Sequence, residues 1–435
     1  MRLLAILGPL LGFGCLATLL PVLPTKAYTL GTNNLSVDAR DFRVFNNFSD
    51  VSANNNLVQD SNFPGHQGAV MAIWKASVEW GSTLHGNGAG DSSQPNDLGS
   101  GGANFDLSFQ GLAQSPDALG GNVHSEISGS AGGTYAFAEI GPNGGWRIRY
   151  FSVWTWDDGP GTIVGGVDLQ SVATHEMGHG LGLGHSSVPG ATMVSTISIG
   201  SIGARSIEAD DIAGVQAIYG VAAATKPRIT GLVDINGTLK IRGTNFVGTG
   251  NEVWFTNANG SGIPSSNGID LFVNVPSNAA PGDLLVKVPG SSYATLSNAW
   301  PFDPTQPLPC MVKSYGQTAG GANKLSLATS GSPTLGQTIT LNLNSAPFGA
   351  VGWLHFARSS ANQPLLGGTQ LINLNQIVQT TLLTVLFNPT QIKLVVPPNP
   401  GLAGVHVFGQ AAVLDVTQPG GLAFSNGLEL TLCAP

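Results

Sequence analysis

Cysteine is nearly absent from this 435-residue chain, with one residue each at positions 15, 310 and 433. That excludes a disulfide-built miniature scaffold and a cysteine-ligated zinc finger, both of which need clustered thiols. Charge is scarce as well. Asp, Glu, Lys and Arg make up 10% of the residues, against about a quarter in an ordinary soluble protein. Acids outnumber bases 25 to 17, for a net charge of −8. With no basic patch, no nucleic-acid partner is expected, and binding to anionic membrane surfaces is disfavoured. Beyond residue 27 no apolar run is long enough to span a bilayer.

Glycine (60) and proline (27) are abundant, and they favour short strands and many turns over long helices. The N-terminus "MRLLAILGPLLGFGCLATLLPVLPTKA" places one arginine before an apolar run that ends at a small residue. It reads as a secretory signal over 1–27, with an uncleaved anchor as the alternative. The mature chain is then expected to be secreted, or else periplasmic or attached to the cell surface. Export makes a disulfide between Cys310 and Cys433 the expectation, with two buried free thiols as the alternative.

Three modules follow. In the first, 28–222, "DFRVF" (41–45) reads as a strand, and 67–82 as an amphipathic helix ended by Gly81. Alternating runs at 134–140 and 146–154 read as strands of one sheet. Asp168 is placed to cap the helix "LQSVATHEMGHG", and "EADDIAGVQAIYG" (208–220) reads as a last helix stopped by Gly220. "VAAATKP" (221–227) reads as a linker. From there 226–304 and 308–435 alternate apolar and polar residues between Gly, Asn and Pro turns, the pattern of two all-β, sandwich-like domains.

The chemistry concentrates in "HEMGHGLGLGH", residues 175–185. Residues four apart share a helix face, so His175 and His179 can point at one ion. Glu176 stands beside that ion, where a general base for a metal-activated water belongs. Gly182 lets the chain leave the helix sharply and return His185 as a third ligand. Three neutral nitrogens with one open position describe a catalytic zinc site. The competing reading, a glycine-rich turn with solvated histidines, does not account for the spacing.

This stretch resembles the HExxHxxGxxH signature of metzincin proteases. Ser186 after the third histidine, and Met193 eight residues beyond it in "SSVPGATM", resemble the matrixin subgroup. The resemblance implies an α+β catalytic domain with a twisted, mostly parallel sheet and long helices. It implies Zn2+ held by His175, His179 and His185, Glu176 as the catalytic residue, and Met193 in a Met-turn beneath the metal. Ca2+ is implied by the resemblance alone. Val194-Ser195 replaces the usual Tyr-Pro, which alters the wall of the specificity pocket, and the cysteine-switch latency segment is missing.

Residues 226–304 resemble the IPT/TIG immunoglobulin-like domain through "ITG", "IRGTNF", "VPSNAAPGDLLVKV" and "SNAWPF". The last unit looks like a β-domain recurrent in exported bacterial proteins, and surface or polysaccharide contact is its architectural reading. The whole reads as a secreted zinc endopeptidase acting on protein or peptide substrates. The rival is a surface adhesion or binding protein with a vestigial metal site. Outside the motif, His124 reads as a surface or strand-end residue, Asp157 and Asp158 as turn acids in preference to calcium ligands, and Trp353 as a core tryptophan in preference to an exposed sugar platform. His66 and His85 flank the first helix without ligand spacing, and His355 and His406 read as packing or solvated residues.

Overall fold

The computed structural model describes residues 28–433, apart from 32–33, 95, 117–119, 142–143, 164, 236–237, 264–266, 307, 309–311, 317–324 and 403. The expected signal over 1–27 and Cys310, and with Cys310 the expected pairing to Cys433, lie outside the described residues.

The first module is built on a five-stranded sheet. Its strands are β1 (Asp41–Phe45), β2 (Ser108–Leu112), β3 (Val123–Ile127), β4 (Ala136–Ile140) and β5 (Trp146–Phe151), in the order β2-β1-β3-β5-β4. All neighbours run parallel except β4, the antiparallel edge strand. In β1, Phe42 and Val44 alternate inward and are fully buried, as the period of two requires. The segment 28–66 therefore contributes a central strand.

Three helices accompany the sheet: α1 (Gly68–Val78), α2 (Leu169–Gly180) and α3 (Ala209–Tyr219). The Asp168 carboxylate accepts from the Ser171 amide at 2.9 Å and caps α2. At the start of α3, Glu208 and Asp211 form a reciprocal capping box. Gly220 ends α3 at φ +79°, a conformation that favours glycine. The amphipathic reading of α1 is overturned, since all eleven of its residues are buried, Lys75 and Ser77 included. The helix is covered by α2 and reached by the second unit, so it has no solvent face.

The second unit holds β8 (Arg228–Ile235), β9 (Thr238–Thr244), β10 (Asn251–Phe255), β11 (Ala258–Ile263), β12 (Asp270–Val273), β13 (Gly282–Lys287) and β14 (Trp300–Phe302), numbered after the short parallel pair β6 (Trp156–Asp157) and β7 (Val167–Asp168). They form an antiparallel sheet β11-β10-β13-β14 and another, β12-β9-β8, around a core that includes Ile241, Val253, Leu271 and Leu284. This unit is docked on the first module. The fully buried Asp283 carboxylate on β13 accepts from Trp74 Nε1 (3.1 Å) and the Phe109 amide (2.7 Å), and it bonds His85 Nε2 (2.8 Å). Leu285, Tyr293 and Leu296 join the core of the first module. The 221–227 stretch is not a free tether. Lys226 is buried, paired with Asp106 at 2.9 Å and donating to Tyr293 O at 2.7 Å.

The third unit is also all strand and short 3-10 turns. Its main sheet orders Val312–Tyr315, Gly427–Thr431, His406–Leu414, Val351–Ala357 and Ile377–Thr384, with a smaller antiparallel sheet and a hairpin beside it. Trp353 is not in the core. It is 36% exposed because Gly352 and Leu354 take the inward positions of its strand.

Candidate metal centre

Asp168 fixes the start of α2, and Arg205 clamps that cap through two 2.8 Å bonds to the same carboxylate. The helix then presents His175 and His179 on one face. Past Gly180 the chain turns at Gly182, whose φ of +100° lies in the region glycine tolerates. The Leu183 amide still reaches back to Gly178 O at 2.9 Å, so the exit is tight and returns His185 to the same spot. His175, His179 and His185 thus converge, with candidate ligand atoms within 4.8 Å of one another.

The two helical histidines are orientated by their other ring nitrogen. His175 Nδ1–H donates to Thr192 O at 2.7 Å, and His179 Nδ1–H to Leu183 O at 2.8 Å. A ring so tied keeps Nε2 free with its lone pair toward the centre, the arrangement a metal-ligating imidazole needs. Burial also holds His175 neutral, its pKa lowered to about 4. Glu176 is buried beside this cluster, and its Oε2 has no hydrogen-bond partner. Desolvation pushes its pKa up to about 8 against an opposing bond from the Ala138 backbone. Three convergent imidazoles and an orphaned carboxylate oxygen fit a catalytic zinc ion.

Met193 lies buried under the cluster, where the resemblance implies a Met-turn. Two features of this turn are illegible in the motif. Asp211 on α3 accepts from the Thr192 amide at 2.7 Å and the Met193 amide at 3.1 Å, so the cap of the last helix also holds the turn. Gly178 leaves room for the turn, since a Cβ there would meet Met193 Sδ at 2.3 Å and Trp80 Cζ2 at 2.9 Å. Ser186, the residue after His185, donates to Asp210 at 2.6 Å and ties the end of this segment to α3.

The histidines open into a cleft of about 810 Å3, lined by edge strand β4, the preceding residues 132–135 and residues 194–197 after the turn. Val194 and Ser195, the departures from the matrixin pattern, face this cleft. His124 is elsewhere and is not a surface residue. It is fully buried in β3, bonded to Tyr150 Oη at 2.9 Å, and burial lowers its pKa to about 3. Asp157 accepts from the Gly159 amide of its own turn, and Asp158 from the Asn56 amide, about a hundred residues earlier in the chain. Among the described residues the only group of three or more metal-capable side chains is the histidine triad.

Residues 101–220 match the matrixin family model, and the α/β fold and histidine cluster of this region fit that match. Relatives in that family are zinc metalloendopeptidases. The chain is 44% identical over 86 residues to matrilysin of Rattus norvegicus, covering 20% of this chain and 31% of the relative. It is 44% identical over 97 residues to metalloendoproteinase 5-MMP of Arabidopsis thaliana, covering 20% and 26%. It is 50% identical over 56 residues to neutrophil collagenase of Homo sapiens, covering 13% and 12%. The chain thus spans less than a third of the length of these curated relatives.

Proposed function

We propose that the protein is a secreted zinc-dependent endopeptidase that cleaves protein or peptide substrates in the cleft beneath β4. The observation that carries the reading is the convergence of three histidines in an open cleft that also holds a buried Glu176 whose Oε2 has no partner. His175, His179 and His185 would hold the zinc, which supplies a Lewis acid for the scissile carbonyl and lowers the pKa of water. Glu176 takes the proton of the attacking water and passes it to the leaving amine. β4 is an edge strand, and an extended substrate added to it would be held by main-chain bonds, its side chains alternating between cleft and solvent. Met193 supplies an apolar floor, and Val194-Ser195 reshape the wall that receives a substrate side chain.

The domain reading accompanying this function is a signal over 1–27, a catalytic domain over 28–222, an IPT/TIG-like sandwich over 226–304 and a β-domain over 308–435 that contacts surfaces or polysaccharide. Among the described residues no helix is long and apolar enough to cross a membrane.

Casein zymography with and without a zinc chelator tests the activity. Chelator-sensitive clearing that zinc restores is the expected result, and a wild-type protein that cleaves no protein returns the adhesion reading. Glu176→Ala should lower kcat/KM about 10²–10⁴-fold while zinc still binds, because Glu176 is not a ligand. Full activity in that variant would remove Glu176 from the mechanism.

A further inference from the structure

A second cleft, of about 1010 Å3, lies between the second and third units, far along the chain from the histidines. Arg228 on β8 and Arg242 on β9 line it from one side, and Lys313 and Arg358 from the other. The one carboxylate in the lining is Glu429, and it is engaged by His406 Nδ1. Among the described residues, none of the four cations has a carboxylate within ion-pair distance. A protein with a net charge of −8 thus gathers four of its 17 basic residues around one cavity.

Two polar atoms there lack partners. His406 is 8% exposed, and its buried Nε2 makes no hydrogen bond. The Nε of Arg228 is likewise buried and unbonded. Burying such groups without partners costs free energy, and a bound hydroxy-carboxylate would recover it, with a carboxylate oxygen accepting from Arg228 Nε and a hydroxyl donating to His406 Nε2. The remaining wall is apolar, with Leu394, Val396, Leu402 and Val405, which suits a carbon skeleton better than a bare inorganic ion. Both units are needed to form the cleft. Arg242 Nη1 donates across the junction to Gly404 O at 3.3 Å, and Gly404 packs on Val233.

We propose that this cleft is a binding site for an organic polyanion, a carbon body bearing two or more carboxylates. Cations on both walls match charges spread along the ligand, and arginine forks suit carboxylates in two-point contacts. The carboxylates come either from a small free polycarboxylate or from successive residues of a polyuronate chain, and the test separates these sources. The assignment does not depend on the peptidase reading.

Isothermal titration of the full-length secreted protein at low ionic strength, with citrate, a tetragalacturonate and inorganic sulfate as separate probes, tests it. Saturable binding of citrate or the uronate with at least tenfold preference over sulfate is expected, and the tighter of the two names the source. Lys313→Gln combined with Arg358→Gln should weaken that binding at least tenfold. Arg358 is exposed, so Arg358→Gln alone keeps the test valid if the double variant folds poorly. Glu429→Gln should tighten binding, because it removes the competing carboxylate. Binding of neither organic probe, equal binding of sulfate, or binding unchanged by Arg358→Gln would each overturn the proposal.

Discussion

Gly178 shows how a single residue can carry a tertiary requirement inside a local motif. Read from sequence, it and Gly180 merely soften the end of a helix, since glycine lowers helix stability relative to alanine. In the structure Gly178 is the gap through which Met193 and Trp80 close on the metal centre. Gly178→Ala is therefore destabilising despite the better helix propensity of alanine. Overpacking of this kind costs about 1–3 kcal/mol. Thermal melting should show a lower midpoint, and zinc titration a weaker site, because the turn that carries Met193 also carries the carbonyl that orientates His175. His124 is a similar lesson in the other direction. Nothing around "GGNVHSEI" distinguishes a strand-end histidine from one sealed between Phe42, Trp146 and Tyr150, because those rings come from two other strands.

At the scale of elements, Glu79 at the end of α1 does what no periodicity reveals. Its carboxyl accepts from the Gly99 amide at 3.2 Å and the Ile207 amide at 3.0 Å, tying α1 to a distant loop and to the approach of α3. Burial raises its pKa from 4.5 to about 8. The folded protein therefore holds this proton more tightly than the unfolded chain does. The stability linked to it is full below pH 4.5, falls as pH rises toward 8, and is level above that. Its slope can reach about 1.4 kcal/mol per pH unit. Urea midpoints at several pH values across that window should show the decline, and Glu79→Gln should flatten it. An unchanged slope in the variant would place the titration elsewhere. The helix ends themselves were legible in the sequence: Asp168 before α2 and Gly220 after α3 are local signals. The burial of α1 was not, because its outer face is covered by chain some 200 residues away.

At the scale of the molecule, Asp283 joins two units that the sequence presents as successive beads. Its two oxygens serve a tryptophan, a histidine and a backbone amide of the first module with no water-facing surface. Asp283→Ala would leave those groups buried and unpaired, a loss of about 1–3 kcal/mol for each hydrogen-bonding group left unsatisfied. Calorimetry should show a lower first transition and a separation of the first module from the second unit. If the two units still melted together at the wild-type temperature, the joint would rest on its other contacts, apolar packing through Leu285, Tyr293 and Leu296 and hydrogen bonds such as Tyr293 Oη to Ser36 O.

The histidine triad, the candidate base and the glycine that turns the chain were all determined by eleven contiguous residues, because helix pitch and one permissive backbone angle bring them together within a single segment. Helix caps and strand alternation were determined in the same local way. Only the tertiary structure decided what presses on that segment. Asp211 holding the Met-turn, Gly178 yielding to Met193, Asp283 locking the second unit and the cationic cleft beyond it all join residues far apart in the chain. Contacts of that kind depend on which surfaces meet once the cores are packed, and no short window of sequence contains both partners.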